Sequence, residues 1–211
     1  MEQTNLAELE QLKREIEERR DCPLAATSRV VFGEGNPLSA IVVVGEGPGE
    51  REEQEGRPFV GRGGQLLDKL VESAGLDRSE LWVTNVLKRR ASKVVDGRLR
   101  NRLPKASELG IYREYLDREL KILSPKIILC LGNLAANTLI HRNFRMTQEH
   151  GEWFRGGFDK RLMATFHPAY ILRLEGEGYE EVLNETMQDF AAAAEAYREV
   201  KELMAKTLVS R

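Results

Sequence analysis

Cysteine is scarce in this chain of 211 residues, which contains only Cys22 and Cys130. Two cysteines, one of them inside an apolar run, build neither a disulfide framework nor a cysteine-rich metal site. Long apolar runs are also missing, because no segment approaches the length that spans a bilayer, and the N-terminus is too charged for a secretory signal. We therefore expect a cytoplasmic protein without a membrane partner.

The two signs of charge nearly balance, because the chain has 32 basic and 34 acidic residues and a formal net charge of −2. A balanced total says nothing against nucleic acid, because a polyanion is bound by a local cluster of cations. No internal repeat or low-complexity linker divides the chain. With 41% hydrophobic residues, its length predicts one globular domain over residues 1–211.

The chain does contain an apolar strand that runs into a glycine-rich turn. Residues 40–44 read Ala-Ile-Val-Val-Val, a run without alternation that is typical of a strand covered on both faces of a parallel sheet. In the turn, residues 45–49, three glycines allow a close backbone approach to a ligand and Pro48 stiffens the chain. Ligands of open α/β sheets bind at the carboxyl ends of strands, so this turn is a candidate site.

Further strands and helices follow along the chain. Apolar runs predict strands over 41–44, 81–86, 127–131 and 161–166, and helical periodicity predicts helices over 5–20, 65–71, 106–123, 134–140 and about 178–207. Asn5 and Glu8 are placed like an N-terminal cap pair. Strands that alternate with helices favour a three-layer α/β/α sandwich around a mainly parallel four-stranded sheet, with both terminal helices packed on it.

Polar side chains converge on the predicted carboxyl edge of this sheet. Asn85 ends the second strand, and the fourth strand delivers His167 to the same rim as Glu46. Two plainer interpretations stay open, because a histidine before proline can simply cap a loop and a glycine-rich turn can be only a tight corner. Neither His141 nor His150 follows a predicted strand end that carries other polar residues, which indicates surface positions for both.

Two other features indicate nucleic acid. Phe59 follows a proline in a polar loop, where its ring can stack on a planar base or cover the edge of the core. The segment 88–105 holds eight basic residues against one acid, Asp96. Such a segment is often a solvated loop, but this bias in a balanced chain favours phosphate contact. A nucleotide cofactor is disfavoured, because the turn lacks the usual dinucleotide and phosphate-loop spacings and four glutamates follow it.

Five motifs in order resemble those of the uracil-DNA glycosylase superfamily, and most closely its family 4, over roughly residues 19–174. They lie at 45–50, 56–61, 84–86, 101–104 and 167–173. The resemblance implies a monomeric DNA glycosylase that flips uracil out of single- or double-stranded DNA and hydrolyses its N-glycosidic bond. The product would be an abasic site, as in base excision repair.

Roles for individual residues follow from the same resemblance. It implies that Phe59 stacks on the flipped uracil, that Asn85 reads its O4 and N3 edge, and that His167 donates to O2. The turn and its neighbourhood would hold the sugar and the attacking water, through Gly45, Glu46, Gly47, Pro48, Gly49 and Glu52. Gly47 stands where better-known members of the superfamily have a water-orienting aspartate, so Glu46 or Glu52 would replace that charge.

DNA contacts are also implied by the resemblance and by the basic segment. The expected contact residues are Lys88, Arg89, Arg90 and Lys93, with Leu172 or Arg173 as the wedge that fills the space left by the flipped nucleotide. Two alternatives remain open: another deaminated base, such as hypoxanthine or xanthine, as the substrate, or a nucleic-acid-binding module that kept the fold without turnover.

The resemblance also implies an iron–sulfur cluster that this sequence cannot hold. Family 4 normally binds a [4Fe-4S] cluster through four cysteines, and Cys22 stands alone at those positions. The other three are occupied by Arg19, Arg89 and Tyr112. One thiolate cannot hold a cluster that needs four ligands, so we expect no cofactor and no metal. The arginines predict that ion pairs with acids, or phosphate contacts, replace the cluster.

Overall fold

The computed structural model describes residues 2–157 and 160–209. The α-helices in this part of the chain are α1 (Glu2–Glu18), α2 (Glu50–Glu55), α3 (Arg62–Ser73), α4 (Ala106–Leu123), α5 (Asn133–Leu139), α6 (Met146–Glu149), α7 (Pro168–Ile171) and α8 (Gly176–Val209). The strands are β1 (Glu34–Gly35), β2 (Ile41–Gly45), β3 (Trp82–Asn85), β4 (Ser92–Val95), β5 (Arg98–Asn101), β6 (Ile127–Leu131), β7 (Phe154–Arg155) and β8 (Arg161–Thr165).

A mixed sheet of six strands, in the order β1-β3-β2-β6-β8-β7, forms the centre of the fold. Its four inner strands are parallel, and the two-residue strands β1 and β7 pair antiparallel at the edges. The predicted parallel core of four strands is confirmed. The edge strands were not predicted, because two residues are too few to show any periodicity. Strands β4 and β5 form a separate antiparallel hairpin within the segment predicted to be a basic loop.

Helices cover both faces of the sheet, which confirms the predicted three-layer architecture. Every residue of β2 and β6 is buried, as expected for uninterrupted apolar strands between two helical layers. On one face α8 packs against β6, β8 and α3, and on the other α4 reaches β3 through Glu119 while α1 packs on α4. One cluster of buried side chains connects these layers.

The register of the parallel strands aligns their carboxyl ends. Gly45 lies directly opposite Asn85 in the β2–β3 pair, and Leu131 lies opposite Thr165 in the β6–β8 pair. The residues that follow these strand ends therefore share one edge of the sheet, where open α/β folds bind their ligands.

The first helix differs from its predicted form. α1 already includes Glu2, so Asn5 lies inside the helix and the predicted cap pair of Asn5 and Glu8 is wrong. The amide of Asn5 instead donates to the Pro37 carbonyl over 3.0 Å and ties α1 to the loop before β2. Among the residues that the structure describes, no helix has the length and apolarity needed to cross a bilayer.

Candidate active site

A cavity of ≈ 700 Å³ opens at the carboxyl edge of the sheet. Its lining includes Glu46, Gly47, Phe59, Asn85 and His167, which lie far apart in the sequence. The aromatic ring, the amide and the imidazole that were predicted to converge therefore share one cavity. A planar base has the size and the polar edge to use all three.

Asn85 presents an unsatisfied hydrogen-bond acceptor to this cavity. Its side chain is only 2% exposed, and its Oδ1 atom has no partner among the described residues. A buried acceptor without a partner costs about 1–3 kcal/mol. Gly45, opposite in the sheet, leaves the space that the amide needs, because a Cβ atom there would lie 2.5 Å from Oδ1. The oxygen is thus held ready for a donor from outside the protein.

His167 is held as a neutral hydrogen-bond donor. It caps α7, and its Nδ1 accepts the main-chain N–H of Ala169 over 3.1 Å. Burial, together with the nearby charge of Arg173, lowers the pKa of His167 to about 4. An acceptor at Nδ1 in a neutral ring places the proton on Nε2. That N–H can donate to a carbonyl oxygen or to a developing anion.

Phe59 adopts a backbone conformation that is rare for a bulky residue. Its φ is +54°, and its ring lies 5.9 Å from the His167 ring at an angle of 26°. Gly45 and Gly64 make room for it, since a Cβ atom would come within 2.4 Å of Phe59 Cζ at the first and 1.8 Å of the Phe59 carbonyl oxygen at the second. Strain of this kind concentrates at functional sites, where the surrounding packing enforces it.

Glu46 brings a carboxylate to the cavity beside Gly47. Its Oε1 accepts the N–H of Leu134 in the first turn of α5 over 3.3 Å. Burial raises the pKa of Glu46, and the Leu134 N–H and the charge of Arg173 oppose that rise. Gly132 permits this approach, because its φ is +91° and a Cβ atom would lie 2.5 Å from Glu46 Oε1. A carboxylate is therefore available where Gly47 itself offers none.

Glu52 has a positioning role in the structure. One carboxylate oxygen accepts the N–H of Gly49 over 3.1 Å, and the other accepts those of Val60 and Gly61 over 3.0 and 2.7 Å. These bonds tie the glycine-rich turn to the loop that carries Phe59, and they occupy both oxygens expected to hold the water. Gly49 lines the cavity, whereas Gly45 and Pro48 do not. Both are buried, and their predicted contact with the sugar and the water stays a prediction.

Three of the predicted DNA-binding cations are buried, so that prediction is wrong for them. Lys88, Arg89 and Arg90 are 0%, 5% and 4% exposed. The Lys88 ammonium pairs with Glu119, Arg89 donates to main-chain carbonyls, and Arg90 pairs with acids of α2. A charge pattern along the sequence does not reveal such partners. Lys93 is exposed, and its contact with DNA stays a prediction.

The two predicted wedge residues lie in different places. Leu172 packs against the core and lines a second groove, beside Leu183 and Met187. Arg173 is exposed and lines the active-site cavity, with its guanidinium carbon 5.9 Å from the centre of the Tyr170 ring. Tyr170 also lines the cavity and is 38% exposed. Of the two candidates, Arg173 is the one at the cavity.

The remaining histidines differ in their surroundings. His141 is exposed, as predicted, and pairs with Glu149. The surface prediction is wrong for His150, which is half-buried with its Nδ1 2.9 Å from Asp189 Oδ2 and its ring 4.9 Å from Phe166. The acid lies 39 residues further along the chain, so nothing near His150 in the sequence indicates it.

The residues at the expected cluster positions do not fit an iron–sulfur cluster. The Cys22 thiol donates to the Tyr112 hydroxyl over 3.2 Å, and Arg89 lies next to the same hydroxyl. No group of three or more His, Cys, Asp or Glu side chains in the described part of the chain is arranged to hold a metal. The predicted ion pair with an acid exists for Arg19, which bonds Asp21. It is wrong for Arg89, whose other partners are the carbonyls of Ser28 and Ile16.

Fold and cavity together define an α/β/α protein with a ligand cavity at the carboxyl edge of its sheet, and comparison with known families agrees. The model of the Uracil DNA glycosylase superfamily matches residues 32–191. The chain belongs to that superfamily.

Curated relatives share most of the chain. It is 35% identical to the Type-4 uracil-DNA glycosylase of Thermotoga maritima over 172 residues, which cover 79% of this chain and 84% of the relative. It is 37% identical to that of Archaeoglobus fulgidus over 175 residues, covering 78% and 83%. For the Type-4 enzyme of Pyrobaculum aerophilum the identity is 34%, covering 81% and 89%.

Proposed function

We propose that this protein is a uracil-DNA glycosylase, which hydrolyses the bond between uracil and deoxyribose in DNA and leaves an abasic site. The observation that carries the proposal is the buried, unpartnered Oδ1 of Asn85 at the wall of the cavity. Uracil presents an N3–H donor next to its O4 acceptor. An amide can therefore accept from N3 and donate to O4 at once.

Base selection follows from the same amide. Cytosine has an acceptor at N3, so its ring would place one lone pair against another at Asn85 Oδ1. A site that leaves a buried polar atom unpaired rejects the wrong ligand strongly. Phe59 supports the base by stacking, because its ring has a fixed position between the glycine-rich turn and α3.

Bond cleavage leaves negative charge on the uracil and positive charge on the sugar, and two residues match these charges. His167 donates from Nε2 to O2 of the departing base, because Nδ1 accepts the Ala169 N–H and the single proton of the neutral ring is therefore on Nε2. The Glu46 carboxylate lies on the same cavity wall, where it stabilises the sugar cation and orients the water beside Gly47. Fixed groups of this kind lower the barrier without reorganising during the reaction.

DNA reaches this cavity past exposed cations. Arg173 lies at its mouth and Lys93 on the nearby hairpin, and both suit phosphate contact with single- or double-stranded DNA. We further propose that the protein acts as a single-domain monomer in the cytoplasm and needs neither a metal nor a cluster. The partners of Cys22 described above support the last point.

The test is release of uracil from single- and double-stranded oligonucleotides, detected as strand scission after alkali. Asn85→Ala and His167→Ala should each lower the single-turnover rate by about 100- to 1,000-fold. Asn184→Ala and His141→Ala, which change the same side chains at exposed positions outside the cavity, should leave it unchanged. Retention of DNA without scission by the parent protein would instead support a binding module.

Oligonucleotides that contain hypoxanthine should be tested for base release in the same experiment. Its N1–H and O6 repeat the donor and acceptor order of uracil N3–H and O4, and the cavity has room for a purine. Asn85 therefore does not separate the two bases by hydrogen bonding. Faster release of hypoxanthine than of uracil would reassign the substrate while leaving the roles of the residues in place.

A further inference from the structure

The β4–β5 hairpin, residues 92–101, is a two-stranded ribbon with one cationic face. Its antiparallel register pairs Lys93 with Arg100, and Val95 with Arg98, around the turn at Asp96 and Gly97. Cross-strand partners point to the same side of a ribbon, so Lys93, Arg98 and Arg100 share one face. The turn residues have φ values of +50° and +72°, the left-handed conformation that Asp-Gly hairpin turns require.

These three cations form no ion pair in the part of the chain that the structure describes. All are exposed. Like charges directly opposite each other destabilise a hairpin. An isolated two-stranded ribbon is only marginally stable in water. A pair of like charges across its strands therefore takes away a large part of its stability. A bound polyanion would remove that repulsion.

The ribbon is rigidly joined to the rim of the active-site cavity. At its base Arg102 donates twice to the buried Glu108, over 2.8 and 2.6 Å, and once to the Ser92 carbonyl over 3.1 Å. Arg90 donates to Asn101 Oδ1 over 2.7 Å. Asn101, Arg102 and Leu103 all line the cavity. The strands therefore begin at the site of base binding and extend away from it.

Apolar side chains along the ribbon are also uncovered. Val94 and Leu99 form a cross-strand pair on the opposite face and are 69% and 51% exposed, and Leu103 at the cavity rim is 84% exposed. Apolar groups exposed next to a charged face and a binding cavity mark an interaction surface. Charge complementarity and continuity with the cavity together favour nucleic acid as its occupant.

We propose that this ribbon binds the DNA flanking the flipped nucleotide, with Lys93, Arg98 and Arg100 on successive phosphates and the apolar residues against sugars and bases. The inference rests on the proposed function and deepens it, because it makes a longer DNA segment the true substrate. A four-residue strand reaches about 13 Å, which corresponds to about four nucleotides along one DNA strand at 3.4 Å each. A substrate shorter than this reach would not engage the ribbon.

The experiment compares Lys93→Gln/Arg98→Gln/Arg100→Gln with a charge-matched control, Arg14→Gln/Lys121→Gln/Lys126→Gln. The control removes the same charge from exposed positions outside the ribbon and the cavity. Binding is measured from about 50 to about 200 mM salt, the range over which phosphate contacts lose most of their affinity, on a long duplex that contains a cleavage-resistant 2′-fluorinated deoxyuridine. Excision is measured on a uracil-containing duplex and on a uracil-containing trinucleotide, and circular dichroism verifies folding.

We expect the ribbon variant to bind the duplex about 10- to 100-fold more weakly and to lose about 2–3 from the slope of log K against log salt. Its excision from the trinucleotide should match that of the parent and the control. If the ribbon variant and the control variant show the same slope of log K against log salt on the duplex, the inference is overturned. Failure of the parent to release uracil from either substrate would instead refute the proposed glycosylase activity.

Discussion

The ammonium of Lys88 donates to the main-chain carbonyl of Asn85 over 2.7 Å, deep inside the protein. The same ammonium bonds Thr84 Oγ1 and Glu119 Oε2, and Glu119 also accepts from Trp82. Burial lowers the pKa of Lys88, and the Glu119 carboxylate opposes that shift. A cation predicted to contact DNA thus fixes the strand that carries the cavity amide of Asn85.

Removal of this cation should destabilise the protein. Lys88→Met leaves the Glu119 carboxylate buried without its partner, which costs about 3–5 kcal/mol of unfolding free energy. Lys88→Met/Glu119→Gln removes both charges and should recover much of that loss. Urea denaturation of the two variants measures the difference. If the double variant is no more stable than the single one, the buried ion pair is not the cause.

Lowering the pH should reveal the altered pKa values of His167 and Glu46 in the cavity. Since the pKa of His167 is about 4, the ring stays neutral throughout the range in which an ordinary histidine takes up a proton. The excision rate should stay level from neutral pH downward until Glu46, whose pKa burial raises, and then His167 are protonated. In Glu46→Gln the rate should drop about 100-fold and the remaining acid limb should lie near the pKa of His167.

Nitrogen NMR tests the same assignment directly. Only three histidines occur in the chain, and His167 should show a neutral ring with its proton on Nε2. His141, whose pKa is raised by its bonds to Arg142 and Glu149, provides the contrast within the same spectrum. Titration of His167 near 6.5 would contradict the predicted tautomer and its role as a neutral donor.

Gly132→Ala should disturb the active site through Glu46. The new Cβ atom would lie 2.5 Å from Glu46 Oε1 and would add strain at a φ of +91°. We expect a loss of unfolding free energy of more than about 1 kcal/mol together with a lower excision rate. Gly176→Ala separates the two causes, because it has a φ of +58° but open space around it. That control should lose some stability and keep its activity.

The hydrogen bonds around Arg89 should hold the N-terminal helix in place without a cluster. Arg89→Met deprives the carbonyls of Ser28 and Ile16 of their donor, and each unsatisfied group costs about 1–3 kcal/mol. Faster proteolysis within α1 and a lower thermal midpoint would reveal the loss. The parent protein, purified without oxygen, should show no visible absorbance from an iron–sulfur cluster; a coloured protein containing iron and sulfide would contradict this.

The sequence was sufficient for the parts of the fold that repeat a local pattern. Apolar runs identified the four inner strands, and parallel strands bring their carboxyl ends to one edge, so Asn85, His167 and Glu46 could be grouped from the sequence. Phe59 could be recognised as a stacking candidate in a polar loop, but its place in the cavity depends on a left-handed φ and on the missing side chains of Gly45 and Gly64. No local pattern encodes those contacts.

Long-range pairing explains the errors. Lys88 lies in a run of basic residues that looks solvated, yet its partner Glu119 is 31 positions away on α4. The hairpin escaped prediction because Lys93-Val94-Val95 does not alternate and Arg98-Leu99-Arg100 is too short to establish a period, so the tight turn at Asp96 and Gly97 is the main sign of strands there. Both errors concern charged residues, whose burial depends on partners that sequence spacing does not specify.

The empty acceptor on Asn85 also has a consequence after the reaction. In the proposed binding mode, free uracil offers the same N3–H to the same oxygen, so the liberated product should compete with the next lesion for the site. Turnover should therefore slow as uracil accumulates, even while abundant damaged DNA remains.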